Sequence, residues 1–170
     1  LVPGGFNRLT RDRRKWFAAV RAMLTAGGDA DFDERIIGYR WAVETAWDRA
    51  CQQKNRGNVK SQGYGVYCES WRALVDTQHV WLDKIPEASG VYGIVDRARS
   101  ADFYPAFSTD ADYVRFFRRV VVRFGALDAV RAGGLAGAQA FERALARGGY
   151  SPASESSAVA EVTGYWNACA

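Results

Sequence analysis

The sequence predicts a mainly α-helical domain with a small β or irregular insertion, an α+β arrangement in which helices dominate. Apolar residues recur at helical spacing in the first and last thirds of the chain, and pairs of glycines follow these segments. Between them, residues 91–95 have strand character, and Pro86 precedes them as a turn signal. The chain is therefore treated as one domain over 1–170, with an extended lead-in over 1–9 and a small lobe over 72–107.

Capping residues predict where the first two helices begin. Thr10 is a capping residue for a helix that reaches about Ala26. Asp31 and Glu34 form an acidic variant of a capping box for the second helix, which runs to about Gln52.

The same signals place the helices of the last third. Ser108 is expected to cap a helix that Gly125 ends, and Ser151-Pro152 is a start signal for the final helix. The final helix is expected to turn three residues toward the core: Val159, Val162 and Trp166.

Composition restricts the class of protein without selecting a function. Hydrophobic residues make up 48% of the 170 residues and charged residues 25%, which is typical of a folded globular chain. No apolar run approaches the roughly 20 residues that span a membrane. The net charge of +4 is compatible with an anionic polymer, either nucleic acid or bacterial cell wall. The arginines are scattered and form no single stripe, which argues against a nucleic-acid partner.

The cysteines and the one histidine exclude several kinds of site. Cys51, Cys68 and Cys169 lack the spacing of metal ligands, so we expect no metal and no cofactor. His79 stands alone, which counts against a Ser-His-Asp or Cys-His hydrolase. A disulfide between Cys51 and Cys68 would close a short polar loop and contribute about 3 kcal/mol. Free thiols are the equal alternative at this point.

One helical stretch, residues 40–48, gathers groups that suit acid catalysis. Helical spacing brings Glu44 near Trp41 and Trp47 as well as Arg40. A glutamate among aromatic neighbours loses solvation, which raises its pKa toward the range that a general acid needs. The alternative is a surface glutamate on an amphipathic helix.

Four stretches in order resemble the motifs of glycoside hydrolase family 73, the glucosaminidases of the flagellar-rod muramidase type. Residues 42–48 (AVETAWD) resemble the family's A-x-E-S-G-W-G helix, and residues 64–66 (YGV) its N-x-F-G-I/V segment. Residues 103–113 resemble its F-R-x-Y-x-S…D-Y segment, and residues 141–151 its closing A-L-x-x-A-G-Y-A-T-D motif. The chain departs from the pattern where Ala46 and Asp48 replace two glycines and where Ser151-Pro152 replaces the final T-D.

The resemblance implies a lysozyme-like fold, with a helical lobe, a small β lobe and a cleft between them. It also implies a peptidoglycan N-acetylglucosaminidase in which Glu44 is the general acid. The second carboxylate is expected on the β-lobe hairpin, where Asp83 is favoured over Glu69 and Asp76. Alternatively the substrate's own N-acetyl group attacks, with Tyr150 orienting the amide. For Tyr150 the equal alternative is a helix-end tyrosine that packs on the core.

Further residues are expected around that cleft. Trp47, Tyr64 and Tyr113 are candidate sugar-stacking walls, although each suits a core position equally well, and Glu69 is a candidate substrate-binding carboxylate. A wall substrate implies an extracytoplasmic setting, and this favours the Cys51–Cys68 disulfide.

The chain is also similar to peptidoglycan hydrolase effectors of type VI secretion. Such effectors are antibacterial toxins that act in the periplasm of a target cell, and a dedicated immunity protein blocks their cleft. A phage endolysin or a domain of an autolysin would have the same sequence features. Two further alternatives are a lytic transglycosylase of the same fold and a non-enzymatic helical binding module.

Overall fold

The computed structural model describes residues 10–45, 85–94 and 102–169, and this part of the chain is mainly helical, as predicted. The described helices are α1 (Thr10–Gly27), α2 (Glu34–Thr45), α3 (Asp110–Arg123), α4 (Leu127–Ala132), α5 (Gly134–Arg147) and α6 (Glu155–Ala168). Strands β1 (Gly90–Ile94) and β2 (Asp102–Ala106) pair antiparallel, with Gly90 opposite Ala106 and Ile94 opposite Asp102. None of the helices in these ranges has the length and apolar character to cross a membrane.

Helix α2 lies between two groups of helices. It packs against α1, which also packs against α3, and it contacts α5, which packs against α4 and α6. Consecutive residues 36–42 of α2 are all buried. A helix that is covered on most of its circumference must place any charged residue of that stretch inside the protein, and Arg40 is such a residue.

An aromatic cluster fills the core between α2 and α3. We use this name for Trp41, Phe107, Tyr113, Phe116 and Phe117, all of which are buried. The ring of Trp41 lies 5.2 Å from that of Tyr113 and 5.5 Å from that of Phe117, measured between centroids. Tilted and edge-on contacts at such distances stabilise aromatic pairs beyond their area of burial.

The residue that caps α2 is Asp33, so the predicted capping box with Asp31 is wrong. The Oδ1 atom of Asp33 accepts hydrogen bonds from the backbone N–H groups of Arg35 (2.8 Å) and Ile36 (3.3 Å). Its Oδ2 atom accepts a third from the backbone N–H of Gly134, the first residue of α5 (3.0 Å). Asp31 instead pairs with an arginine of α4. Only the residue directly before the helix can reach the second and third helical N–H groups.

Helix α3 begins one residue later than predicted. Its cap is Thr109, whose hydroxyl accepts from the backbone N–H of Asp112 (3.0 Å), and not Ser108. The predicted end is confirmed, because Gly125 has a φ of 68°, a left-handed conformation that glycine adopts without strain.

Helix α6 also begins later, and Ser151-Pro152 is not its start. The Ser151 hydroxyl accepts from the backbone N–H of Ala153 (3.2 Å), a local turn that competes with helix formation. The cap is Ser154, which accepts from the N–H of Ser157 (3.2 Å). The buried residues of α6 are Ala158, Val162 and Tyr165. Val162 was predicted, whereas the other two each precede the predicted residue by one position.

The sequence predicts the first strand of the hairpin and misses the second. Residues 91–94 of the expected strand are confirmed as part of β1. Strand β2 contains Pro105, which lacks a backbone N–H and disguises the strand in the sequence. The lead-in at 1–9 and most of the small lobe at 72–107 lie outside the described residues.

Candidate functional site

Glu44 lies in the last turn of α2 and pairs with Arg40 one turn earlier. The Arg40 Nη1 atom donates to Glu44 Oε1 across 3.3 Å. The two side chains differ in access to solvent: that of Glu44 is 26% exposed and that of Arg40 is 5% exposed. The carboxyl group of Glu44 is thus held against a buried cation, while part of the side chain is exposed.

Arg40 has a second carboxylate partner, Glu142 of α5. The Arg40 Nη2 atom lies 3.3 Å from Glu142 Oε2, and the Glu142 side chain is only 2% exposed. We call Arg40, Glu44 and Glu142 the Arg40 triad. Its guanidinium connects α2 to α5, two helices that are far apart in the sequence.

Burial dominates the electrostatics of both carboxyl groups of the triad. It raises the pKa of Glu44 above the ordinary value, against the opposing charge of Arg40. Burial raises the pKa of Glu142 to about 7; Arg40 opposes this rise, and the like charges of Glu44 and Glu161 add to it. Burial also disfavours the charge of Arg40, but Glu142 and Glu44, with smaller contributions from Tyr150 and Tyr39, outweigh it, and the pKa of Arg40 is raised. Each carboxyl group therefore binds a proton more readily than it does in water.

Two tyrosines lie near the guanidinium. The Arg40 Cζ atom lies 5.9 Å from the centroid of the Tyr39 ring. Tyr150 interacts electrostatically with Arg40, and its ring packs edge-on against Phe124 at 5.7 Å. Its backbone N–H donates to the carbonyl of Leu145 at the end of α5 (3.0 Å). Among the described residues, Glu44 contacts Arg40, whereas Tyr150 interacts with Arg40 electrostatically and is partly buried against the hydrophobic core, the position that was the alternative to a catalytic one.

The other predicted site residues divide into two groups. Tyr113 is fully buried in the aromatic cluster, so its ring has the core position that was the alternative to sugar stacking. The rest lie outside the described residues: Trp47, Tyr64, Glu69, Asp83, Cys51 and Cys68. The second carboxylate and the disulfide consequently stay predictions. Cys169, which the predicted Cys51–Cys68 disulfide would leave unpaired, is a free cysteine beside Arg13.

Sequence reasoning did not assign a role to Arg40 or Glu142. A signal for Glu142 was present, because it follows Ala138 by four residues and precedes Leu145 by three. That spacing places a carboxylate on the buried face of α5, where a charged residue requires a partner. The partner itself could not be identified from spacing, since Arg40 lies about a hundred residues earlier.

The triad can hold and release a proton at a partly open position. Glu44 supplies the partly exposed side chain, and Arg40 and Glu142 are its buried partners. Within the described ranges, no group of three or more His, Cys, Asp or Glu side chains could hold a metal ion. Acid–base chemistry by side chains is what this arrangement offers.

No protein-family model, curated protein or solved structure matches this chain. The likeness to glycoside hydrolase family 73 therefore depends on the four sequence motifs. The geometry of the Arg40 triad is independent of that likeness.

Proposed function

We propose that this chain is a peptidoglycan hydrolase that cleaves a β-1,4 glycosidic bond of the glycan strand, with Glu44 as the general acid. One observation carries the proposal: burial raises the pKa of Glu44 while 26% of its side chain stays exposed. A general acid needs both properties, since it must hold a proton near neutral pH and reach the leaving oxygen. The ordered motifs around Glu44 supply the substrate class.

The proposed reaction begins with Glu44 giving its proton to the glycosidic oxygen as positive charge develops on the sugar ring. Two routes complete it. Asp83 would act as base or nucleophile, or the N-acetyl group of the substrate would attack with Tyr150 orienting its amide. The electrostatic interaction of Tyr150 with Arg40 supports a role for this tyrosine beside the acid. The proposed fold is lysozyme-like. The described part of the chain is mainly helical with one hairpin, which supports the mainly α class to which that fold belongs.

The proposed setting follows from the substrate. An N-acetylglucosaminidase that acts on the wall works outside the cytoplasm, in the periplasm of a target cell if the protein is a secreted effector. An immunity protein that covers the cleft would then be the natural partner. These parts of the proposal depend on the resemblance alone.

The proposal is tested by mass spectrometry of the fragments released from purified sacculi. Wild-type protein is expected to release fragments that end in reducing N-acetylglucosamine. Glu44→Gln keeps the shape of the side chain but cannot donate a proton, and we expect its rate to fall about 10²–10⁴-fold. Glu34→Gln is the matched control, because it makes the same change on α2 at a residue that pairs with Arg21 away from the triad.

Each other outcome assigns a different function. Anhydro-muramic ends would identify a lytic transglycosylase, and no release from sacculi would favour a binding module. Near wild-type rates in Glu44→Gln would mean that the acid is another residue, with Glu69 and Asp83 next to be substituted.

A further inference from the structure

Arg40 is the cation that the carboxyl group of Glu44 contacts, and it is more deeply buried than its partner. Its Nη1 atom donates to Glu44 Oε1 across 3.3 Å, and its side chain is 5% exposed. Glu142 Oε2 lies 3.3 Å from the other terminal nitrogen, Nη2, so the guanidinium is held from two sides. A guanidinium has N–H donors and no acceptor, so it presents a fixed donor and a fixed positive charge to one oxygen of Glu44.

The two carboxyl groups of the triad ionise in a definite order. Burial raises the pKa of Glu44, and the charge of Arg40 lowers it. Burial raises the pKa of Glu142 to about 7, and the negative charge of Glu44 adds to this rise. Glu44 therefore loses its proton at lower pH than Glu142 does. While Glu142 is still protonated, the carboxylate within the triad that balances the charge of Arg40 is that of Glu44.

We propose that Arg40 is a positioning residue for the acid: it keeps the proton of Glu44 on Oε2 and stabilises the carboxylate that remains when this proton is given up. This inference rests on the proposed function, in which Glu44 is the acid. The guanidinium donates to Oε1 and cannot accept a hydrogen bond in return. Oε1 therefore suits the carbonyl oxygen of the protonated group, and the hydroxyl is placed on Oε2.

The charges balance in the proton-transfer step. The proton leaves Glu44 Oε2 for the glycosidic oxygen, and the electron pair of the broken O–H bond stays on the carboxylate. The C–O bond breaks with its electron pair on the leaving oxygen, so that sugar departs as a neutral alcohol, and the attacking group captures the positive charge on the ring. The new negative charge of Glu44 then lies beside Arg40, where an opposite charge favours it. Burial alone would favour only the protonated form.

Other titratable groups face the triad from the elements packed around it. Among the described residues they are Tyr39 on α2, Tyr150 after α5 and Glu161 on α6. Tyrosine ordinarily titrates at about pH 10, well above the range in which glutamates titrate. Glu161 is exposed and raises the pKa of Glu142, whereas Arg40 lowers the pKa of Glu44.

The direct test is an NMR titration of the glutamate side-chain carboxyl carbons in the full chain. Arg40→Met removes the positive charge, and the pKa of Glu44 is expected to rise by about 1. Arg40→Lys keeps a positive charge and should leave this pKa closer to the wild-type value. Arg21→Met is the matched control, because Arg21 is exposed and pairs with Glu34 away from the triad. A pKa of Glu44 that stays the same or falls in Arg40→Met overturns the inference.

Two further variants separate the cation from its second partner. Glu142→Gln keeps Arg40 and replaces a carboxyl group that is protonated while Glu44 titrates, so the pKa of Glu44 should be unchanged. A rise as large as that in Arg40→Met would overturn the assignment to Arg40. If Arg40→Met does not fold because Glu142 loses its partner, the double variant Arg40→Met, Glu142→Gln removes both groups. A pKa of Glu44 no higher there than in Glu142→Gln then overturns the inference by itself.

Hydrolysis supplies a readout that a merely structural role would not move. Because Glu44 loses its proton before Glu142, the alkaline limb of the wild-type pH–rate profile is expected below about pH 7. In Arg40→Met this limb should move to higher pH while the maximal rate falls by up to about tenfold, since an acid with a higher pKa gives its proton less readily. Arg40→Lys should restore both. A lower rate with an unmoved limb would mean that Arg40 is only structural.

Failure of this inference differs from failure of the proposed function. If wild-type protein releases fragments but the pKa of Glu44 is the same in Arg40→Met, the proposed function stands and the role of Arg40 is wrong. If the pKa of Glu44 rises as expected but wild-type protein releases no fragments, Arg40 stabilises the carboxylate and the proposed function fails.

Discussion

Arg40 and Trp41 are neighbours on α2 and are both buried, but their surroundings have little in common. Arg40 lies between two carboxyl groups, one of them from α5. Trp41 lies against aromatic rings from α3. Burial of an aromatic ring stabilises the fold, whereas burial of an ion pair commonly offsets its own attraction with lost hydration. Helix α2 therefore contributes to two different regions. The aromatic cluster stabilises the fold, and the Arg40 triad provides acid–base groups.

The largest effect on stability is expected on the apolar side of this comparison. Trp41→Ala leaves a cavity in the aromatic cluster and should lower the free energy of unfolding by about 3–5 kcal/mol. Urea denaturation measures the loss. Val122→Ala is the control, because Val122 is 52% exposed and its truncation should change stability by about 0.5 kcal/mol or less. A loss below about 1 kcal/mol at Trp41 would show that the cluster does not organise the core.

In the Arg40 triad, the contribution of Glu142 to the free energy of unfolding should depend on pH. Burial raises the pKa of Glu142 from 4.5 to about 7, so folding takes up a proton at this residue between those values. This group's contribution is most favourable below about pH 4.5 and is lost as pH rises through about 7, a change of roughly 3 kcal/mol. Glu142→Gln cannot titrate, so it should gain stability relative to the wild type as pH rises across this window.

Urea denaturation of both proteins at several pH values checks this prediction. Glu155→Gln should run parallel to the wild type over the same range, since its pair with Arg147 is exposed. A constant difference between Glu142→Gln and the wild type would mean that the pKa of Glu142 is the same in the folded and unfolded states.

Two ion pairs of the α1–α2 loop test whether burial of the carboxylate decides the cost of losing its partner. Asp29 is fully buried and accepts from Arg118 Nη1 at 2.7 Å, whereas the Asp31 side chain that pairs with Arg131 is 53% exposed. Burial raises the pKa of Asp29 against the charge of Arg118. Arg118→Met should therefore cost about 1–3 kcal/mol, and Arg131→Met about 1 kcal/mol or less. Equal losses in thermal or chemical unfolding would contradict this explanation.

The smallest effect on stability is expected at the proposed acid itself. Glu44→Gln is near-isosteric and removes a carboxylate whose pKa burial already raises. Its free energy of unfolding should stay within about 1 kcal/mol of the wild type. Thermal melts recorded beside the hydrolysis assays measure this. If the fold is lost together with activity, Glu44 is structural and the catalytic assignment is wrong.

The parts of the fold that depend on local signals were predicted from the sequence, with small errors in register. Helix existence follows from periodicity and glycine stops, whereas the choice of cap among neighbouring candidates does not. Asp31 and Asp33 are both good capping residues, and the one that caps is decided by where the chain enters the helix. The displaced start of α6 has the same origin, since Ser151 forms a turn of its own.

The candidate site was predictable only where its chemistry is local. The raised pKa of Glu44 was anticipated from aromatic neighbours along one helix, and the direction agrees with its burial. The contact between Arg40 and Glu142 depends on how α2 and α5 pack, which no spacing within either helix encodes. Tyr113 shows the converse limit: a motif match cannot tell whether a ring faces a ligand or the core.

Asp33 links the start of α2 to the start of α5, in addition to its role as a cap. Its two carboxylate oxygens accept from the first turn of α2 and from the first residue of α5, so both helices start from one side chain. The first turns of the two helices are in contact: a methyl group added at Gly137 of α5 would lie 3.4 Å from the Ile36 side chain of α2.

Arg40 lies seven residues along α2 from Asp33, and Glu142 lies eight residues along α5 from Gly134. At 1.5 Å per residue, each is about 10–12 Å from the common origin. The two side chains therefore lie at similar distances along their helices from Asp33, and this allows them to meet. A shift of either helix by one residue would separate the guanidinium from its buried partner, so the alignment of the triad is set at the opposite end of both helices from Glu44.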